Sequence, residues 1–472
     1  MQIYNDLSRS YEELQPLTEN HFKVYVCGPT VYDFFHLGNA RPFIVYDTLR
    51  RYLEYLGYKV TYVQNFTDID DKMIKRANSE GITVQALADR MITEYFTDAD
   101  GLNIKRASHH PRATECIPEI IEMIEALEAK GYAYVAEDGV YFEADKFAEY
   151  GKLSHRDLDE QQEGASQRVD STDQKRGSKD FVLWKFAKPG EPEWDSPWGK
   201  GRPGWHIECS AMNKKYLGET VDIHGGGQDL VFPHHENEIA QSEAANGKPF
   251  VRYWMHNGFI NVDYAKMAKS AGNFFTVRDL VKKYPYKVLR FFMLQTHYRM
   301  PINFSDTLLE AAANGLSRIE NCVENIDFML SRAGDIKASV DAAVSSELEQ
   351  AVEQTEKSFR EAMDADMNTP DAFAAIFDLV RQTNSASLEN GYSAEVLKSA
   401  RDKIVELCQI LGMDVATAEA EIPKEVTDLV EQRAQAKRER NFSLADQLRD
   451  QITALGYKVD DTPQGVKLTP LN

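Results

Sequence analysis

The sequence predicts an α/β fold: a Rossmann-like parallel-sheet domain with an insertion, followed by a helical bundle and a small C-terminal domain. Three observations carry this expectation. An apolar run, Phe22-Lys23-Val24-Tyr25-Val26-Cys27-Gly28, suits a strand that ends in a tight turn. After an intervening helical stretch comes a β-branched and aromatic run, Lys59 to Phe66, so strand, helix and strand succeed one another within about 45 residues. The C-terminal third then changes period, with apolar residues stepping by three and four.

The first helix is expected from about Ala40 to Leu56, with Asn39 as N-cap, Pro42 in its first turn and Gly57 as its stop. Residues 107–203 are polar and irregular by comparison, with a charged stretch from Asp157 to Asp180, and read as an insertion. A second α/β portion runs from Gly204 to about Met255. In the bundle, Leu309, Ala312, Leu316, Ile319, Val323 and Ile326 share one helix face, as do Leu397, Ala400, Ile404, Leu407 and Leu411. Thr369 before Pro370 and Ser393 before Ala394 are helix starts. Met413 to Pro423 reads as a linker, and Lys424 to Asn472 as a charged helix followed by short strands.

A chain of 472 residues is too long for one hydrophobic core, and 43% hydrophobic with 27% charged residues is a globular composition. No apolar run reaches the roughly 18 residues of a membrane span, and the N-terminus has neither the basic nor the apolar part of a signal peptide. Five scattered cysteines do not form a disulfide framework, so a cytoplasmic protein is expected. A net charge of -21 argues against a non-specific nucleic-acid binder. Locally the balance reverses: Met255 to Met300 holds eight Lys or Arg against two Asp. That is either a solvated basic face or a site for an anionic partner.

Three clusters can carry chemistry. His36-Leu37-Gly38-Asn39 lies between strand and helix, where unpaired N–H groups and the helix dipole suit phosphate; an ordinary capped loop is the plainer reading. Lys266-Met267-Ala268-Lys269-Ser270 offers two lysines three apart that could neutralise a polyphosphate, or simply a charged turn. The third cluster joins Cys27, Cys209 and Phe232-Pro233-His234-His235-Glu236-Asn237-Glu238. If Pro233 starts a helix, His234 and Glu238 share a face, and two thiolates, an imidazole and a carboxylate would complete a zinc site. Spacing alone leaves open that both cysteines are small buried hydrophobes. Gly225-Gly226-Gly227-Gln228-Asp229 places an acid beside a turn just upstream.

Taken together and in order, these segments resemble the class I aminoacyl-tRNA synthetases with their HIGH and KMSKS signatures. They resemble the cysteinyl-tRNA synthetases in particular, over essentially the whole chain. The resemblance is carried by Cys27 to Asp33 (CGPTVYD), Asn65 to Lys72 (NFTDIDDK), Gly201 to Met212 (GRPGWHIECSAM) and Asp222 to Glu238 (DIHGGGQDLVFPHHENE). It implies ATP-dependent activation of L-cysteine and transfer to tRNA(Cys), with one zinc ion per chain and Mg2+ accompanying ATP. It further implies zinc ligation by Cys27, Cys209, His234 and Glu238 but not His235. Thr67, Trp205 and His224 would bind cysteine, and Thr30, His36, Asn39, Asp229 and Lys269 would bind ATP. His36, Asn39, Lys266 and Lys269 would be catalytic. The implied organisation is a catalytic domain in two halves (1–106 and 204–255) around an insertion (107–203). A stem-contact segment (256–303), a helical bundle (304–412) and an anticodon-binding region (424–472) follow. A monomer without membrane attachment is expected.

Two alternatives stay in view. One is a mycothiol-type cysteine ligase, a relative, although the C-terminal extension favours tRNA. The other, a non-catalytic synthetase-like protein that binds tRNA or zinc, draws on two departures: Asn39 replaces the last His of HIGH, and Ala268 the first Ser of KMSKS. Asn39 keeps a hydrogen-bond donor, whereas Ala268 loses a hydroxyl worth about 1.5–3 kcal/mol when it meets a charged phosphate. The expected enzyme is therefore active but slow. Ala268→Ser should raise single-turnover adenylate formation roughly ten- to a hundredfold and leave cysteine affinity unchanged. Equal rates would make the hydroxyl irrelevant, and no adenylate in either form would favour the non-catalytic alternative.

Overall fold

A computed structural model describes residues 1–155, 175–262, 265–266, 275–332, 340–416, 423–462 and 465–470. The chain divides into two compact units. The first comprises Met1–Asn314, Phe359–Phe373 and Ile410–Met413; the second comprises Gly315–Ser358, Ala374–Gln409 and Asp414–Asn472.

In the first unit, strands β1 (Gln2–Asn5) and β2 (Ser10–Glu13) form a hairpin ahead of β3 (His21–Val26), helix α1 (Leu37–Tyr55) and β4 (Lys59–Gln64). Helices α2 (Asp71–Glu80), α3 (Val84–Gly101) and α4 (Ile117–Ala129) follow. Next come β5 (Ala133–Val135), β6 (Gly139–Phe142), β7 (Phe181–Phe186) and β8 (Gly201–Pro203). The chain returns through α5 (Trp205–Leu217), β9 (Val221–Gly227), α6 (Glu236–Asn246) and β10 (Val251–Asn257). It continues through β11 (Ile260–Val262), β12 (Ala265–Lys266), α7 (Val277–Leu280), α8 (Tyr286–Leu294) and β13 (Ile302–Phe304).

The central sheet has the order β10-β9-β3-β4, with every pair parallel. From β3 the chain moves one way to β4 and from β9 the other way to β10. The crevice beyond the carboxyl ends of β3 and β9 is thus the switch point where open α/β sheets bind ligands. Alternate residues Phe22, Val24 and Val26 pack with Ile223, Tyr253 and Met255 on one side. Tyr25 and Val63 pack with Ile207, Ile239 and Trp254 on the other. A strand covered on both faces reads as a continuous apolar run, which is what β3 and β4 show.

Helix α1 begins earlier than the expected Ala40. His36 is the N-cap: its Nδ1 accepts from the Asn39 N–H at 3.2 Å, and the Asn39 side chain accepts from the His36 N–H. A reciprocal capping box draws the first turn forward to Leu37, so Asn39 is the third helical residue and Pro42 lies inside the helix. Leu56 closes it, and Gly57 takes φ 91° as the chain leaves.

The insertion is also more regular than its polar composition suggested. It contains α4 and an antiparallel sheet of order β5-β6-β7-β8 whose apolar side joins the core of α5 and α6. Short strands with polar outer faces lower the mean hydropathy without removing structure. Most of the charged stretch 157–180 lies outside the described residues. Its end is ordered by Asp180, which accepts from the Ala144 N–H, the Gly177 N–H and the Tyr134 hydroxyl.

The cationic segment 255–300 is largely neutralised in place. Arg278 pairs with Glu94 and Asp98, Lys282 with Asp279, Lys283 with Asp306, Arg290 with Asp47 and Arg299 with Asp366. Arg290 is fully buried and also donates to the carbonyls of Leu102, Asn103 and Leu411.

The remaining helices are α9 (Asp306–Ser331), α10 (Ala342–Asp364), α11 (Thr369–Thr383), α12 (Ala394–Ile410), α13 (Lys424–Arg438) and α14 (Phe442–Ala454). The hairpin of β14 (Tyr457–Thr462) and β15 (Gly465–Pro470) ends the described chain. Every residue of the two expected helix faces is buried. Ser393 caps α12 through the Val396 N–H. Asn368, one residue ahead of Thr369, caps α11 through the Asp371 N–H. The second helix of the tail, α14, was not anticipated, and residues 417–422 of the expected linker lie outside the described residues.

Candidate active site

Three elements deliver the floor of the crevice. Cys27 follows the last residue of β3, with its N–H donating to the Gly225 carbonyl of β9 at 3.3 Å. Cys209 lies in the second turn of α5, and His234 and Glu238 flank the start of α6. All four side chains are buried, and their donor atoms lie within 4.8 Å of one another. Cys27 Sγ is 3.9 Å from Cys209 Sγ and 3.5 Å from Glu238 Oε1, while His234 Nε2 is 3.0 Å from the same oxygen.

Close backbone approach makes this convergence possible. A Cβ at Gly28 would fall 1.6 Å from the Asn65 carbonyl oxygen, and one at Gly225 would fall 2.3 Å from the Tyr46 hydroxyl. Tyr46 of α1 donates to the Met255 carbonyl and accepts from the Gly226 N–H, locking β9 and β10 under the helix.

The four groups strongly perturb one another's proton affinities. Burial pushes the Glu238 carboxyl up, but the His224 and His234 imidazoles outweigh it and hold the group at about 2. The hydrogen bond from Cys27 brings Cys209 down to about 6. Burial and the Cys209 sulfur push Cys27 well above its ordinary range. Burial lowers His234, yet Glu238 and Cys209 raise it further, to about 9. Burial and the surrounding imidazoles keep His235 neutral.

A second layer braces these groups. His224 Nε2 lies 2.8 Å from Glu238 Oε2, and His206 Nδ1 lies 2.9 Å from His234 Nδ1. Asp6, His256 and His235 form a chain that ends at Cys27, with links of 2.7, 2.7 and 3.4 Å. The geometry admits a second donor set of Cys27, His224, His235 and Glu238. That set has one thiol instead of two, and its His224 Nδ1 has no hydrogen-bond partner among the described residues. Ligand imidazoles are normally braced through their second nitrogen, so the two-thiol set is the better metal holder.

The other expected residues fall into separate groups. Trp205 covers His234, with ring centroids 4.1 Å apart. Thr67 donates to Glu208 Oε2 at 2.9 Å, and burial with the Cys209 charge raises that acid well above the ordinary carboxylate range. Thr30 pairs with Thr67 across an isolated parallel bridge, and His36 and Asn39 stand half-exposed at the α1 N-terminus. Asp229 is exposed on the turn after β9. His224 is wholly buried behind Glu238. Lys269, and the side chain of Lys266, lie outside the described residues. Glu208, His206, His256 and Asp6 were not anticipated. The His-Ile-Glu-Cys run at 206–209 was the available signal for the first two, whereas only the fold brings Asp6 to His256.

Residues 13–314 match the family model described as tRNA synthetases class I (C) catalytic domain, and residues 358–416 match the DALR domain. Among solved structures, a Mycobacterium tuberculosis methionyl-tRNA synthetase in complex with methionyl-adenylate aligns with TM-score 0.62 at 16% identity. It covers 83% of this chain and 89% of its own. A leucyl enzyme in complex with tRNA, from Agrobacterium radiobacter K84, aligns with TM-score 0.61 at 12% identity over 85% of both chains. Sheet order, crevice and family model together define a class I aminoacyl-tRNA synthetase. Cysteine–tRNA ligases from Caldicellulosiruptor saccharolyticus and Clostridioides difficile are 54% and 53% identical, each over 99% of both chains. The chain belongs to the cysteine–tRNA ligase family, whose reaction is the aminoacylation of tRNA(Cys) with cysteine. That match sets aside both the mycothiol-type ligase and the non-catalytic alternative.

Near pH 7 Cys209 and Glu238 are ionised, while Cys27 and His234 carry protons that a metal ion must displace. Metal binding should therefore release roughly two protons per ion, and the affinity should rise steeply with pH through the neutral range. Calorimetry in buffers of different ionisation enthalpy measures this count. An affinity flat between pH 6.5 and 8 would contradict the assignment of Cys27 and His234 as ligands.

Proposed function

We propose that zinc, held by Cys27, Cys209, His234 and Glu238, selects cysteine by its thiol while the half-exposed N-terminus of α1, Lys266 of β12 and Lys269 handle ATP. The observation that carries this reading is the buried four-donor cluster at the floor of the crevice. The fit is quantitative. With Zn–S bonds of about 2.3 Å, tetrahedral thiolates stand about 3.8 Å apart, against the 3.9 Å found here. Bound zinc supplies a soft Lewis-acid position for the substrate thiolate, which the oxygen of serine fills far less well.

The chain's own residues do the rest. The cysteine carboxylate attacks the α-phosphate of Mg-ATP, forming cysteinyl-adenylate and releasing diphosphate. The terminal ribose hydroxyl of tRNA(Cys) then takes the cysteinyl group and AMP leaves. Phosphoryl chemistry of this kind depends on placement and charge. His36 uses Nδ1 to cap α1, so in the neutral ring Nε2 carries the proton and can donate to a phosphate oxygen. Asn39, in the same turn, offers an amide where the helix dipole favours an anion. Lys266 and Lys269 supply the positive charge, Thr30 and Asp229 border the nucleotide, and Trp205 and Thr67 border the amino acid. His224 contributes by holding Glu238.

Residues 424–472 are the proposed anticodon-binding region. Arg433 does not serve it directly, because it is buried in a two-point contact with Asp461, to which Lys437 also bonds. Arg438 and Arg440 are the exposed cations left at that end of α13.

Cys209→Ser tests the zinc reading. It should lower zinc content and weaken cysteine binding at least tenfold, with ATP affinity changed less than twofold. Metal analysis and separate titrations of the two substrates measure both effects. Equal cysteine affinity with and without bound zinc would contradict the proposal.

A further inference from the structure

Arg41 is fully buried, and among the described residues no carboxylate contacts it. Buried guanidinium groups are ordinarily paired, because an unpaired buried charge is costly. Arg41 spends its donors on backbone instead. Nη1 donates to the carbonyls of Gly258 and Phe259 at 2.7 and 2.9 Å, and Nη2 donates to those of His297, at 3.2 Å, and Met300. Burial draws its guanidinium down to about 9, so it stays charged at neutral pH.

These carbonyls belong to two chain segments that enter one sheet. Residues 258–259 lead into β11, and 297–300 lead into β13, its parallel partner. The segments press together so closely that a Cβ at Gly258 would lie 2.7 Å from the Arg299 and Met300 carbonyls. β11 also pairs with β12, where Asn261 faces Lys266. Residues 275–277, downstream of the second lysine, are tied to the same helix. Leu37 N–H donates to the Phe275 carbonyl, Val277 N–H to the Phe35 carbonyl, and His36 bridges to Thr276. Both ends of the lysine segment are thus fastened around the first turns of α1, one by backbone pairing and one by Arg41.

We propose that Arg41 is a positioning residue for adenylate formation, fixing the root of the β12-β11-β13 sheet on α1 and so the placement of Lys266 relative to His36. A planar fork is the side chain that can hold two segments in one fixed relation, which an ammonium cannot do. Being wholly buried, Arg41 touches no substrate. The proposal rests on the reading of Lys266 as a lysine that neutralises ATP phosphates.

The test is a double-mutant cycle on single-turnover adenylate formation, using the full chain as wild type, Arg41→Met, Lys266→Met and the double variant. Arg41→Met should slow the step at least tenfold, with zinc content and cysteine affinity unchanged. The double variant should be no more than about twofold slower than the slower single variant. Arg41→Lys should recover part of the rate, and it replaces Arg41→Met in the cycle if the latter does not fold. A wild-type rate in the Arg41 variants, or a double variant whose loss is the product of the two single losses, overturns the positioning role alone. A wild-type rate in Lys266→Met overturns that role together with the phosphate reading of Lys266. Loss of zinc or of cysteine affinity in Arg41→Lys would show a general structural role and also overturn the proposal.

Discussion

The site depends on a carboxylate that cannot reach water. Glu238 sits at zero exposure on α6, with one oxygen against His224 and the other against His234 and Cys27. Burying such an ion costs several kcal/mol unless opposite charge and hydrogen bonds surround it. A protonated His234 meets part of that need when no metal is bound, and a divalent cation meets it more fully. The neighbouring features follow from this. His224 must come from β9 at the register opposite Tyr25, Cys27 must stop where β3 ends, and the glycines of β9 must let Tyr46 close over them.

In the proposed function, specificity and reactivity are separated by depth. The floor is soft and buried, composed of thiols and imidazoles matched to sulfur. The rim is polar and partly open, with the N-terminus of α1 matched to phosphate. Helix α1 connects the two: its capping box stands at the half-exposed N-terminus, Tyr46 clamps the strand that carries His224, and Arg41 and Asp47 hold the segments around β11, β13 and α8. Such shared support explains why 13 of the 19 residues of α1 are buried, polar ones included. It also explains why its sequence shows so weak an amphipathic pattern.

Much of this was legible in the residues themselves. The central βαβ unit was readable because β3 and β4 are covered on both faces and so carry unbroken apolar runs. The helix faces from Leu309 to Ile326 and from Leu397 to Leu411 were readable because packing imposes the helical period. The metal cluster was half legible: His234 and Glu238 share a helix face at i and i+4, but the two cysteines, 182 positions apart, meet only because α5 packs against β3 and β4. The start of α1 was misplaced because histidine is an uncommon cap, and Asn39 answers it from within the helix. The regularity of the insertion was hidden by its polar outer surface. Much of the basic surplus of 255–300 is internal pairing among the described residues, and sequence counts cannot show that Arg290 meets Asp47 or Arg299 meets Asp366.

The central claim is that the protein offers zinc two sulfur atoms and that the substrate supplies another. X-ray absorption at the zinc edge of the loaded enzyme counts them directly. The account predicts two sulfur neighbours in the free enzyme, three with L-cysteine and still two with L-serine. A sulfur count that does not change when L-cysteine is added would contradict it.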